Sequence, residues 1–451
     1  MDILTTYNPS TGEKLADYPL MQQEELDRRL QEAGEAYRYW SALEVAQRSF
    51  AVGNLARELD RDLDDLARLM SEEMGKIRPE AEAELKKCIR LCEYYAAHAE
   101  AWLADEDRSH GEVKAMVQYA PLGAVLAIMP WNFPVWQVLR CAVPALLAGN
   151  VVLLKHAPNV TGCALQLDDL FVAAGFPEYT FQSLVIDVDQ VESILARPLI
   201  AGVALTGSTR AGAAVAQLAG KHIKRSVLEL GGSDPFIVLA DADIDKAVET
   251  AVQSRFGNAG QSCIAAKRWI VVEEVYESFR VKAIQKIRSL RQGDPVQDDI
   301  QVGPMARPDL ADQFMEQYNR SVSEGAEVLV PCIRNACHVS PGLLGDVTPE
   351  MTAFREELFG PCGVLIKAKD ADDAIRLAND TIYGLGSTIF TADHALAMQL
   401  AKQIHSGNVF INTIMRSDPA LPFGGVGMSG YGKELGREGI LEFVNKKVVV
   451  G

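Results

Sequence analysis

The stretch Ala124–Asn159, AVLAIMPWNFPVWQVLRCAVPALLAGNVVLLKHAPN, decides the fold. AVLAIMP is an unbroken apolar run that stops at a proline-bracketed turn. VWQVLRCAVPALLAG has the length and composition of a buried helix, and NVVLLKH is a second apolar run. A strand with no polar alternation is covered on both faces, and two such strands joined through a helix lie parallel. The order continues with helix TGCALQLDDLFVAAG, strand FQSLVID, a short helix, strand IAGVALTG and helix STRAGAAVAQLAG. Ligands of sheets built this way collect at the carboxyl ends of the strands.

A second series follows SVLELGG. It runs PFIVLAD, DIDKAVETAVQSRF, a cysteine-bearing loop, RWIVVEE and VYESFRVKAIQKIRSL, and later GVLIKA, DADDAIRLAND, GSTIFT, HALAMQLAKQI and NVFIN. From Glu24 to about Ala104 the period and charge pattern are helical. EVKAMVQYAPLGAV reads as an extended segment or hairpin, and the apolar ending NKKVVVG as an exposed edge strand that is a hazard unless another subunit pairs with it. The fold class is therefore α/β, with two doubly wound domains and a small β arm.

The 451 residues, 48% of them hydrophobic, suffice for two or three large cores. No apolar run reaches the roughly 18 residues of a membrane span, and MDILTTYNPSTGEKL lacks a basic region followed by an apolar core. A cytoplasmic location without membrane attachment is expected. The net charge of −17 argues against nucleic acid and favours a small solute as partner. The eight cysteines are scattered, so reduced thiols are expected. Cys88/Cys92 and Cys332/Cys337 lack the second pair or clustered histidines of a zinc site, so no metal is expected.

Single motifs are ambiguous. In NAGQSCIAAKR, small polar neighbours leave Cys263 room to meet another molecule, but a packed thiol explains it as well. Asn132 in MPWNFPVW can donate to an oxyanion or merely shape its turn. Glu229 in SVLELGGSDP is a general-base candidate if burial raises its pKa, and equally an ion-pair partner. Gly207 and Ser208 in ALTGSTRAG open a helix that can face a phosphate, without forming a GxGxxG fingerprint. Lys155 in LLKHAPN is a cation at a strand end or a surface lysine. Glu357 and Phe359 in FREELFGPCG pair an acid with a ring that can brace a ribose and a flat base, or simply end a helix.

Taken in order, PWNFP, LLKHAPN, TGSTRAG, LELGGSDP, GQSCIAAKR, EELFGP and PFGGVGMSGYGKELG resemble the NAD(P)-dependent aldehyde dehydrogenase superfamily across nearly the whole chain, and within it the bacterial succinate-semialdehyde dehydrogenases. The resemblance implies an NAD(P)-binding domain from residues 1–105, 123–230 and 407–432, a catalytic domain from 231–406, and oligomerisation strands at 106–122 and 433–451 of a homodimer or homotetramer. It implies Cys263 as nucleophile toward an aldehyde, Asn132 with the Cys263 amide as oxyanion donors, and Glu229 as the base that activates water. For NAD or NADP it implies Lys155 at the adenosine ribose, Gly207 and Ser208 at the pyrophosphate, Glu357 at the nicotinamide ribose, and Phe359 and Trp131 near the ring.

Many NAD-preferring relatives carry a glutamate three residues after the lysine. Here that residue is Pro158, which lowers repulsion toward a 2′-phosphate, and His156 beside Lys155 is a further candidate to favour one. A distal carboxylate on the substrate is assigned to Arg140, with Arg255 and Ser417 as further anchors and Arg416 in the same loop. The second arginine common in such enzymes, six residues before the cysteine, is replaced by Gly257. Other aldehydes, transfer to coenzyme A, and a non-catalytic binding protein on the same fold are the alternatives. The presence of Glu229 argues against coenzyme A transfer, and the intact Asn132, Glu229, Cys263 and Glu357 argue against a non-catalytic chain.

Overall fold

A computed structural model describes residues 3–451. The first two residues, at the start of the expected segment 1–105, lie outside the described residues. Strand Ala124–Met129 is central in a six-stranded sheet. On one side lie Val151–His156 and then Phe181–Ser183. On the other lie Ile200–Thr206, Arg225–Glu229 and the short antiparallel Gly430–Tyr431. The chain moves outward in one direction and then restarts on the other side of Ala124–Met129. A crevice therefore opens at the carboxyl ends of Ala124–Met129 and Ile200–Thr206, beside Asn132 and Gly207.

The second sheet has seven strands in the order Glu327–Val330, Gly342–Gly345, Cys362–Ala368, Ala266–Val272, Asp234–Val238, Gly386–Phe390 and Asn408–Ile411. All pair in parallel except the first. Its chemistry-bearing residues precede their strands: Cys263 comes just before Ala266–Val272, and Glu357 just before Cys362–Ala368. The carboxyl ends of one sheet thus face the amino ends of the other.

Three expectations change. Residues 408–411, expected in the NAD(P)-binding domain, pair with Gly386–Phe390 at the edge of the seven-stranded sheet, whereas 430–431 do join the six-stranded one. Within 433–451 only Val444–Val450 is a strand. Gly436–Leu441 is a short helix, and Gly436 accepts a 2.9 Å hydrogen bond from the buried Tyr95 hydroxyl. Residues 3–7 and 14–19, not read as strands, form a hairpin whose mostly exposed faces carry little apolar pattern. The terminal strand pairs antiparallel with Ala115–Pro121, which also pairs with Glu106–Asp107. Val448 and Val450 on this arm are 66% and 62% exposed.

Candidate active site

Cys263 follows a short loop in an uncommon conformation. Asn258, Ala259 and Gly260 have φ of 53°, 53° and 73°, a left-handed run that costs about 1–3 kcal/mol at each non-glycine position. A Cβ at position 260 would strike the Gly360 carbonyl. Surrounding bonds hold this shape. The Asn258 N–H donates to the Glu80 carboxylate at 3.0 Å, and its side-chain amide donates to the Asn132 carbonyl at 2.8 Å. Gln261 donates to the Asn258 carbonyl at 3.1 Å and accepts from the Ala306 N–H at 2.9 Å. Lys267 donates to the carbonyls of Ser262 and Cys263 at 3.3 and 3.1 Å.

Asn132 comes from the turn after Ala124–Met129 and donates through Nδ2 to the Gln261 carbonyl at 3.0 Å. One N–H of its amide is thereby used to brace the cysteine loop, which leaves the other to donate elsewhere. Burial pushes the Cys263 thiol up to about 12, with Glu229 and Glu357 pushing the same way against Arg140 and Lys267. The resting sulfur is therefore protonated. Glu229 is buried, and neither carboxylate oxygen has a hydrogen-bond partner. Desolvation raises its pKa well above the ordinary carboxylate value, as does Glu434, against Arg140 and Lys433. A neutral or readily protonated carboxyl there is suited to proton transfer.

Two cavities meet at the cysteine loop. The first, about 210 Å³, is walled by Trp131, Asn132, Thr206, Gly207, Ser208, Cys263, Glu357 and Phe359. Trp131 and Phe359 meet edge to face, with ring centroids 5.8 Å apart. Ser208 caps helix Thr209–Lys221 by accepting from the Ala211 N–H at 3.3 Å. The Gly207 N–H is occupied by the Glu229 carbonyl at 3.0 Å, so this glycine contributes space and close approach. Glu357 accepts from the Gly232 N–H at 2.9 Å and lies 3.6 Å from Lys267. It presses so closely on Gly231 that a side chain there would collide with it. Lys155 is buried at the end of its strand, opposite Ile128, and is not among the lining residues.

His156 is a correction. Its ring donates through Nε2 to the Pro134 carbonyl at 2.8 Å and accepts at Nδ1 from the Ala157 N–H at 2.9 Å. Burial lowers its pKa to about 4, so it is neutral and offers no charge to a 2′-phosphate.

The second cavity, about 350 Å³, lies between helix Arg78–Leu103, Phe133 and Trp136 on one side and Ser262, Ile264 and the 414–416 segment on the other. Gly257 and Arg416 line it. The three expected anchors, Arg255, Arg140 and Ser417, do not. Arg255 is fully buried, and its guanidinium donates to the carbonyls of Cys362 at 2.6 Å and Leu358 at 2.8 Å, and also to that of Gly360. It is a brace between the cysteine loop and the Glu357 loop. Arg140 is buried against Glu434 in an ion pair, donates to Thr206 Oγ1 at 3.3 Å and lies over Phe423. Its charge faces Glu229 and Glu434 and is not free for a substrate carboxylate. Ser417 is buried and accepts a 2.6 Å hydrogen bond from Lys87.

Lys87 is the lining residue that sequence reasoning missed. It stands in an ordinary amphipathic helix beside Lys86, and nothing in ELKKCIRL separates the inward lysine from the outward one except its position next to the buried Glu84 and Cys88. All eight cysteines are free. Among the described residues no helix is long and apolar enough to cross a membrane, and no group of three or more metal-ligating side chains occurs.

Two α/β sheets thus bring a thiol, a buried carboxyl and an amide donor together at the junction of two clefts. The model of the aldehyde dehydrogenase family matches residues 2–449, and the chain belongs to that family. It is 44% identical over 445 residues to the succinate semialdehyde dehydrogenase [NAD(P)+] Sad of Escherichia coli (strain K12), covering 98% of this chain and 96% of that protein. It is also 44% identical to a probable succinate-semialdehyde dehydrogenase [NADP(+)] of Synechocystis sp., with 99% of each covered. The solved succinic semialdehyde dehydrogenase of Streptococcus pyogenes, in complex with NADP+, superposes with a TM-score of 0.97 at 34% identity, covering 99% of both chains.

Proposed function

We propose that this chain oxidises succinate semialdehyde to succinate with NAD or NADP, using Cys263 as nucleophile. The observation that carries the reading is the position of Cys263 at the wall of the first cavity, with Ser262 and Ile264 on the wall of the second. The sulfur can then bond an aldehyde carbon entering from one cleft while a dinucleotide occupies the other. The free N–H of Asn132 and the Cys263 amide would hold the oxyanion, in a water-poor setting where such donors act most strongly. As the C–S bond forms, the thiol proton would leave to bulk water, and Glu229 in its ionised form would later take a proton from the water that hydrolyses the thioester.

The first cavity fits a dinucleotide. The N-terminus of helix Thr209–Lys221 suits a phosphate, Glu357 suits ribose hydroxyls, and the Trp131–Phe359 pair suits a flat ring. When bound, the nicotinamide supplies the hydride acceptor. Pro158 leaves no carboxylate to repel a 2′-phosphate, and Lys155 remains the adjacent cation. The domain with the six-stranded sheet would hold this cofactor, the one with the seven-stranded sheet would carry the nucleophile, and the exposed valine arm would pair subunits in a homodimer or homotetramer.

Steady-state kcat/KM for succinate semialdehyde and for butanal with each dinucleotide tests the reading. A clear preference for the acidic aldehyde is expected. Equal use of butanal would remove the substrate assignment, and no turnover of any aldehyde would remove the activity.

A further inference from the structure

On the wall of the second cavity stands a cation, Lys87, that pairs with no carboxylate among the described residues. Lys87 Nζ donates to Ser417 Oγ at 2.6 Å and lies 3.8 Å from the Trp136 ring centroid, so both of its partners are neutral. The nearby carboxylates are committed. Glu84 accepts from the N–H groups of Val135 and Trp136 at 3.0 and 2.8 Å and pairs with Lys76. Glu80 accepts from Asn258. Gly257 contributes no side chain to this wall. A largely desolvated ammonium without a counterion is costly, and the cost falls when it loses its proton or when an anion arrives. Burial, with repulsion from Arg140 and Arg90, holds the Lys87 pKa down to about 7 despite the pull of Glu84.

We propose that Lys87, held in place by Ser417, is the specificity-determining anchor for the distal carboxylate of the aldehyde. The inference rests on the semialdehyde reading above and replaces Arg140 and Arg255, which the fold has already committed. Lys87 and Trp136 line the same cavity as Ser262 and Ile264, the two neighbours of Cys263, so a short chain can lie with its aldehyde toward Cys263 and its carboxylate toward the ammonium. The carboxylate adds a charge-assisted hydrogen bond, and the Trp136 face keeps the cation oriented.

The test is the ratio of kcat/KM for succinate semialdehyde to that for butanal in the full-length enzyme, since the two aldehydes share four carbons. In Lys87→Met the ratio should fall about 10- to 150-fold, the range for losing a hydrogen bond to a charged partner, mainly through KM. Lys87→Arg should restore most of it. An unchanged ratio in Lys87→Met, with the preference present in the unmodified enzyme, overturns the anchor and leaves the substrate reading standing. An equal fall on both aldehydes assigns Lys87 to structure alone and also overturns the anchor. A wild-type ratio near one overturns both proposals. Should the methionine variant fold poorly, reductive methylation of the wild-type protein decides: succinate, but not butanamide, should slow labelling of Lys87 in the peptide map, and equal labelling contradicts the anchor.

Discussion

The two clefts that meet at Cys263 are built from different kinds of segment. Much of the first wall comes from turns at strand ends, where Trp131, Asn132, Gly207, Ser208, Glu357 and Phe359 sit beside prolines and glycines, with Leu310, Gln313, Phe314 and Gln317 added from helix Pro308–Ser323. The second wall combines Glu80, Ala83, Glu84 and Lys87 from a 26-residue helix with Phe133, Trp136, the cysteine loop and the 414–416 segment. Backbone geometry restricts the first wall, because a turn must admit a ligand close to its main chain. On the second, the helix flank is restricted only by which side chains it presents, so that part can change its chemistry one residue at a time. The turns of the first wall are built into the fold, and the helix flank of the second is written on it.

Asn132 lines the first cleft and braces the cysteine loop that lies between the two, and its replacement gives the largest expected effect. Asn132→Ala removes an oxyanion donor and also the 3.0 Å brace to Gln261. It should lower kcat about 10²–10³-fold, the usual cost of one such donor, while dinucleotide affinity by fluorescence titration stays within a few-fold. A loss of dinucleotide binding as large as the loss of kcat would instead mean that the two walls are one cooperative unit.

A smaller effect per step sharpens the same contrast. With its thiol pushed up to about 12, Cys263 in the cofactor-free enzyme is mostly neutral, and its thiolate fraction grows about tenfold per pH unit below that value. Alkylation of Cys263 by iodoacetamide should therefore rise about tenfold per unit from pH 7 to 10. A plateau below pH 8 would show that a local positive field outweighs burial at the junction.

How much of this was legible in the sequence follows the same division. The two α/β sheets were readable, and so was the grouping of Trp131, Gly207, Ser208, Glu357 and Phe359 around one cavity, because continuous apolar strands and Gly- or Pro-marked turns carry their own geometry. The substrate wall was not. Arg140 and Arg255 have the residue type that binds a carboxylate, but burial commits one to Glu434 and the other to backbone carbonyls, and such partners lie more than 100 residues away in sequence. Lys87 has the opposite history, an unremarkable helix lysine whose value depends on which way the helix faces. His156 failed as a phosphate cation for a similar reason, since only the folded chain reveals that the Pro134 carbonyl and the Ala157 N–H occupy its ring. For strand 408–411 the apolar pattern placed NVFIN with the second series, where it pairs, and only the domain boundary implied by the resemblance put it in the NAD(P)-binding domain.

The account depends on a covalent sulfur intermediate, and mass spectrometry of Glu229→Gln quenched during turnover of succinate semialdehyde tests it most directly. Removing the base should slow deacylation more than acylation, so a succinyl thioester should accumulate on the peptide containing Cys263. Turnover that continues in this variant with the Cys263 peptide unmodified would contradict the mechanism.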